Sequence, residues 1–191
     1  SLKDGGRAAV VLPDNVLFES GIGTDIRRDL MTKCRLHTIL RLPTGIFYAQ
    51  GVKTNVLFFE KISNSPREDG KDHTDTVWVY DARTNAPKFG KRTPLTKEYF
   101  ADFIQAYGDD AKGKTQRTDT GETGRWRSFS REWIRNEKGD SLDISWLKDE
   151  SLDGGDELPE PAELAQEALA ELEAAIEEID SLLKDISETN D

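Results

Sequence analysis

With 191 residues, 36% of them apolar and 33% charged, the chain is long enough for one domain, or for one domain and an appendage, though its core is smaller than that length suggests. No run of about 18 apolar residues occurs and no signal-peptide pattern is read at its start, so neither a membrane span nor a secretory leader is expected. The net charge of −11 is unevenly spread: residues 149–191 hold 16 acids and one base, which leaves +4 on residues 1–148, a mildly basic body with an acidic tail.

In chain order, "RAAVVLP" (Arg7 to Pro13) is a continuous apolar run, which predicts a strand buried on both faces. "GIGTDIRRDLMTKC" follows, with Ile22, Ile26 and Leu30 at helical spacing, Thr24 or Ser20 as N-cap, and Lys33 and Arg35 near the C-terminus. "LHTILRLP" and "TNVLFFEK" read as a second and a third strand. Strand, helix, strand makes one βαβ unit, and the ten-residue loop before the third strand permits an antiparallel return. Cys34, the single cysteine, excludes an internal disulfide, fits a reducing cytoplasm and is expected as a small buried hydrophobe.

"TVWVYDAR" is a fourth strand with Trp78 and Tyr80 on one face, and "TKEYFADFIQAYG" a short amphipathic helix. A flexible loop is expected over 108–124, then an irregular segment, rich in tryptophan, that packs onto the body. From Pro159 an acidic amphipathic helix is expected, with Ala165, Leu172, Ile179 and Ile186 recurring every seven residues and Ile176 and Leu183 widening the stripe. Such a helix packs on its own body or docks a partner subunit.

Several letter patterns carry no chemistry in their context. "GDDAKGKT" (108–115) matches the phosphate-loop spacing, but a helix precedes it, a polar Gly- and Thr-rich stretch follows, and two Asp residues inside it repel phosphate. A nucleotidase acting through Lys114 is therefore disfavoured. "GIGTDI" lacks the third glycine of a dinucleotide loop, and "NAPKF" has the letters of an Asn-Pro-Pro-aromatic motif in the wrong order. His37 and His73 have no second ligand at metal spacing; His37 reads as a strand residue and His73 as a surface one.

The loop between the second and third strands is different. It carries Phe47 and Tyr48 side by side between Gly45 and Gly51, and a bulky ring on a surface loop gains little by burial.

The stretch from Gly5 to Lys61 resembles the modification subunit of type I restriction–modification systems. The features that carry the likeness are "VLP" after the first strand, "R-x-x-L" in the helix, "LP-x-G-x-F" after the second strand and "G-V-x-T-N-V-L-F-F" at the third. "LDISWLKDES" before a Pro-started acidic helix extends the resemblance over most of the chain, more loosely across 62–125. It implies an α/β chain: the C-terminal portion of a Rossmann-like methyltransferase sheet (residues 1–62), a strand and helix extension (63–150) and an α-helical tail (151–191). The first residue being Ser fits a fragment.

It also implies a DNA adenine-N6 methyltransferase that uses S-adenosylmethionine, although the Gly-rich cofactor loop and the Asn-Pro-Pro-aromatic motif are not found in this sequence. The resemblance makes Phe47, or its neighbour Tyr48, the ring that stacks on an extruded adenine, with Arg41 and Lys53 as phosphate contacts. It places Leu172, Ile176, Ile179 and Leu183 on a helix facing a specificity subunit, and leaves room for a restriction subunit. The rival expectation is a non-catalytic scaffold derived from a truncated methyltransferase fold.

Overall fold

In the computed structural model, residues 2–47, 52–65, 67–87, 89 and 93–149 are described. Five strands build one mixed sheet: β1 (Arg7–Pro13), β2 (Cys34–Arg41), β3 (Thr54–Lys61), β4 (Thr76–Asp81) and β5 (Trp126–Ser130). Their order is β1-β3-β2-β4-β5. β3 is antiparallel to both β1 and β2, so those two run the same way with β3 inserted between them, and β4 is parallel to β2. β5 closes the far side antiparallel to β4. The expected βαβ unit is therefore present, with the returning strand as its middle member.

Helices cover both faces. A single turn, α1 (Asn15–Phe18), leads into α2 (Ile22–Lys33), and α4 (Arg131–Lys138) follows β5. Their Leu17, Met31 and Ile134 join Leu36, Ile39, Leu57, Val77 and Val79 in one buried cluster. On the opposite face α3 (Ala101–Tyr107), entered through a 3-10 turn at Lys97–Phe100, contributes Phe103 to a cluster with Leu40, Tyr80 and Trp126. Val77 and Val79 fall in one cluster and Tyr80 in the other, with Trp78 packed beside it, which is the period of two that a strand buried on both sides requires. A bulge at His37 shifts the register of β2 against β3, so Leu36 and Ile39, three apart, reach the same cluster.

Expectations for β1, for the cap of α2 and for the stretch after 124 need correction. β1 is not buried on both faces: it pairs with β3 alone among the described residues, and its Val11 is 49% exposed. α2 does not bury its isoleucines, since Ile22 is 78% and Ile26 62% exposed, while Arg27 and Met31 point inward. Its N-cap is Gly21 at φ 64°, with no side-chain cap from Ser20 or Thr24. The stretch expected to be irregular is β5 followed by α4, a helix whose Ser130 hydroxyl accepts from the Trp133 N–H at 3.1 Å and whose end turns at Gly139 in the left-handed region.

The segment 108–124, expected as a flexible loop, is tied to the sheet. Arg117 donates to Thr38 Oγ1 at 3.0 Å and to the Tyr107 carbonyl, and its guanidinium lies over the rings of Tyr107 and Trp126. Lys112 reaches Glu60, and its carbonyl accepts from Arg35. Gly113, at φ 66°, sits where a Cβ would collide with the His37 ring. No helix among the described residues is long and apolar enough to cross a membrane. The expected partner helix lies outside the described residues.

His37 is buried, and burial together with the positive charges of Arg35 and Arg117 lowers its pKa from 6.5 to about 4. The folded state thus refuses a proton that the unfolded chain accepts, so this contribution is complete above pH 6.5 and is lost as pH falls toward 4. Denaturant midpoints measured from pH 7.5 to 4.5 should fall by the equivalent of about 3 kcal/mol, and His37→Gln should flatten most of that slope.

Candidate functional site

β1, β2 and β4 run in one direction, so their carboxyl ends emerge together, beside the start of β3. In open α/β sheets this is the edge where ligands bind. Here it is built from ions. Arg83, just past β4 and 8% exposed at its side chain, grips Asp14, just past β1, through two bonds of 2.7 and 2.9 Å. Asn55 of β3 donates to the same carboxylate at 2.6 Å. Asp81 ends β4 and accepts from Arg41 Nη1, the Arg83 and Thr84 amides and the Thr84 hydroxyl at 2.8–2.9 Å. Two carboxylates and two arginines thus tie four strand ends together.

Burial by itself would raise the Asp14 pKa, but the hydrogen bonds from Arg83 and Asn55 outweigh it and hold the carboxyl below its ordinary value. Asp14 is therefore ionised at neutral pH, and the fork of Arg83 meets a full negative charge.

The loop that leaves this edge after β2 carries the sequence-predicted residues. Leu42 N–H donates to the Thr54 carbonyl at 3.0 Å, closing the loop at its base. Gly45 stands at φ 76°, a turn that a side chain would strain. The two residues that follow part company. Ile46 packs against the Leu40–Tyr80 cluster, whereas Phe47 is 45% exposed. Phe47 is thus a presented ring and not an inward anchor. Tyr48 and Gly51 lie outside the described residues.

Lys53 is exposed beside the loop's return, and its carbonyl accepts from the Asp14 N–H at 2.9 Å. Arg41 is placed otherwise: its side chain is 11% exposed and spent on Asp81, so a phosphate would have to break a buried ion pair to reach it. Asp14, Asn55, Asp81 and Arg83, which make the site rigid, match no catalytic pattern in the sequence. The signal they carry is polar residues placed where strands end, and two of them sit inside "VLPDN" and "TNVLFF".

The described residues do not fit S-adenosylmethionine. The Gly21–Gly23 turn that opens α2 follows the helical turn α1 rather than a strand, and Gly23 is hemmed in by Glu19 and Arg27. No group of three or more His, Cys, Asp or Glu able to hold a metal ion occurs among the described residues. The phosphate-loop lookalike has neither preceding strand nor following helix: Gly108 ends α3, Lys112 N–H bonds Asp110, and β5 comes next.

Comparison with known proteins agrees with this architecture. Residues 1–132 match the family N-6 DNA Methylase, and residues 158–191 match the type I restriction enzyme methylase subunit, C-terminal domain. The EcoKI methylase subunit of the type I restriction enzyme of Escherichia coli (strain K12) is 55% identical over the whole chain, and the StySPI methylase subunit of Salmonella potsdam 55% identical over 97% of it. The chain spans 40% of the length of each of these relatives. The crystal structure of the EcoKI M protein superposes with a TM-score of 0.70 at 56% identity, over 95% of this chain and 41% of that one. A structure of a type I R-M system, concerned with its assembly and conformational transition, follows at 0.56 and 29% identity, over 96% of this chain and 37% of that one. The chain belongs to the N-6 DNA Methylase family.

Proposed function

We propose that this chain is the C-terminal part of a modification subunit of a type I restriction–modification system, whose complete form methylates adenine N6 in DNA with S-adenosylmethionine as methyl donor. The observation that carries the reading is Phe47, exposed on a closed loop at the carboxyl edge of the sheet. A base in duplex DNA must leave the stack before it can be modified, and an extruded base is held by its edge and its faces. Phe47 offers the face, and Tyr48 is its sequence neighbour. Lys53, exposed at the loop's return, contacts the backbone as a point charge, while Arg41 holds the sheet edge and leaves the phosphate to Lys53.

On this reading the methyl donor and the target amine are held by residues other than those described. DNA sequence is read by a specificity subunit, which the stripe of Leu172, Ile176, Ile179 and Leu183 contacts; a restriction subunit joins the same assembly. The setting is a bacterial cytoplasm, as the names of the relatives and the single cysteine suggest. One observation favours a second reading, a non-catalytic scaffold: the described residues form no cradle for the methyl donor.

Three experiments test the reading, and the first separates it from the scaffold. In the complete subunit assembled with its specificity partner, Phe47→Ala should slow methylation roughly 5- to 150-fold, the loss of about 1–3 kcal/mol of base stacking, with the assembly intact by gel filtration. Phe47→Trp should retain most of the rate; a wild-type rate for Phe47→Ala would refute the stacking role. Leu172→Asp with Ile179→Asp should abolish co-purification of the specificity subunit, and unchanged co-purification would refute the docking role. The 191-residue chain alone should show no methyl transfer to unmethylated DNA in a radiolabelled methyl-donor assay.

A further inference from the structure

A single guanidinium holds both stems of the Phe47 loop. Arg83 Nε donates to the Leu42 carbonyl at 2.9 Å, where the loop leaves β2, and Nη2 donates to the Thr54 carbonyl at 2.8 Å, where it enters β3. The same Nη2 lies 3.3 Å from Asn55 Oδ1, and the two Nη atoms grip Asp14 at the end of β1. Five acceptors on four residues are met by one planar group.

The clamp is itself clamped. Asp81 Oδ1 accepts the Arg83 and Thr84 amides at 2.8 Å, and the Tyr99 hydroxyl donates to the Ala82 carbonyl at 2.6 Å, so the backbone that carries Arg83 is fixed before its side chain reaches out. The carbonyl of Phe89, further along the same segment, faces Gly45 of the loop. A lysine could not replace this residue: an ammonium is a point charge with three donors and lacks the rigid fork that spans separated acceptors.

We propose that Arg83 is a positioning residue for base recognition, which acts through Phe47 and touches neither DNA nor base. The inference rests on the reading of Phe47 as the stacking ring. A stacking surface has to be held to within about half an ångström to be useful, and a loop gains that precision only from its stems. Arg83 fixes the distance between Leu42 and Thr54, and with it the height at which Phe47 stands over the sheet edge.

The test is a double-mutant cycle on the complete subunit assembled with its specificity partner, read as the methylation rate at saturating duplex carrying the system's own modification site. Arg83→Lys should slow methylation about tenfold or more while binding of the same duplex changes less than about twofold. Because Arg83 acts only through Phe47, Arg83→Lys combined with Phe47→Ala should be no slower than Phe47→Ala alone, within about twofold. Losses that multiply would overturn the assignment of Arg83 and leave the stacking role of Phe47 standing. A wild-type rate for Phe47→Ala would overturn the stacking role, and the assignment of Arg83 with it. Should Arg83→Lys fail to assemble, Asp14→Glu displaces the same clamp from the opposite side with the charge kept, and it is carried through the same cycle with the same two outcomes.

Discussion

The ion pair between Asp14 and Arg83 is the constraint on which the carboxyl edge of the sheet depends. Strands β1 and β4 are not neighbours in the sheet, since β3 and β2 lie between them. Main-chain hydrogen bonds fix each strand against the next but cannot prevent the four ends from splaying, and the fork of Arg83 spans that gap from outside the ladder. A buried ion pair is weak evidence for stability, because the cost of desolvating both charges can match their attraction. Its value here is geometric. Removing either partner would leave the other charge buried and unpaired, a penalty of about 3–5 kcal/mol, so the edge is held in one arrangement or broken.

The same logic recurs elsewhere. Asp72 pins Arg131 and Arg135 of α4 and accepts from Thr32 of α2, while Asp140 meets Arg28 and Arg131. Arg27 spends its guanidinium on the carbonyls of Asp140 and Val16. A chain that is one-third charged has limited apolar material, and it welds helices to the sheet with charged networks where a larger core would use leucine. Acid weakens that weld twice: His37 acts between pH 6.5 and about 4, and the lowered carboxyls of Asp14, Glu60 and Asp72 act below their unfolded values.

Much of this was legible in residues, and the failures have physical causes. "TNVLFFEK" predicts β3 to the residue, because an apolar strand bounded by a loop with two glycines and by a polar turn leaves little freedom in its limits. The apolar run of β1 correctly announces a strand but overstates its burial: such a run records what a strand prefers to meet, and among the described residues β1 pairs with β3 alone. The isoleucines of α2 stand at helical spacing and face outward, since a stripe can face outward as well as inward. β5 and α4 are obscured by arginines and tryptophans that serve both core and surface, although Ser130 and Gly139 are ordinary cap signals. The exposed ring of Phe47 could be read from loop context. The clamp beneath it could not, because Asp14, Asn55, Asp81 and Arg83 are brought together by the crossing of strands and not by spacing in the chain.

The chain belongs to the N-6 DNA Methylase family, and on the proposed reading its Phe47 loop meets the base. Photocrosslinking tests that claim most directly. A duplex with 5-iodouracil in place of the target adenine, bound to the assembled complex and irradiated, should attach to a peptide that contains Phe47, and the attachment should vanish in Phe47→Ala. A crosslink of equal yield in Phe47→Ala, or one mapped to a peptide outside residues 42–53, would show that the extruded base is held elsewhere and that the exposed ring serves another end.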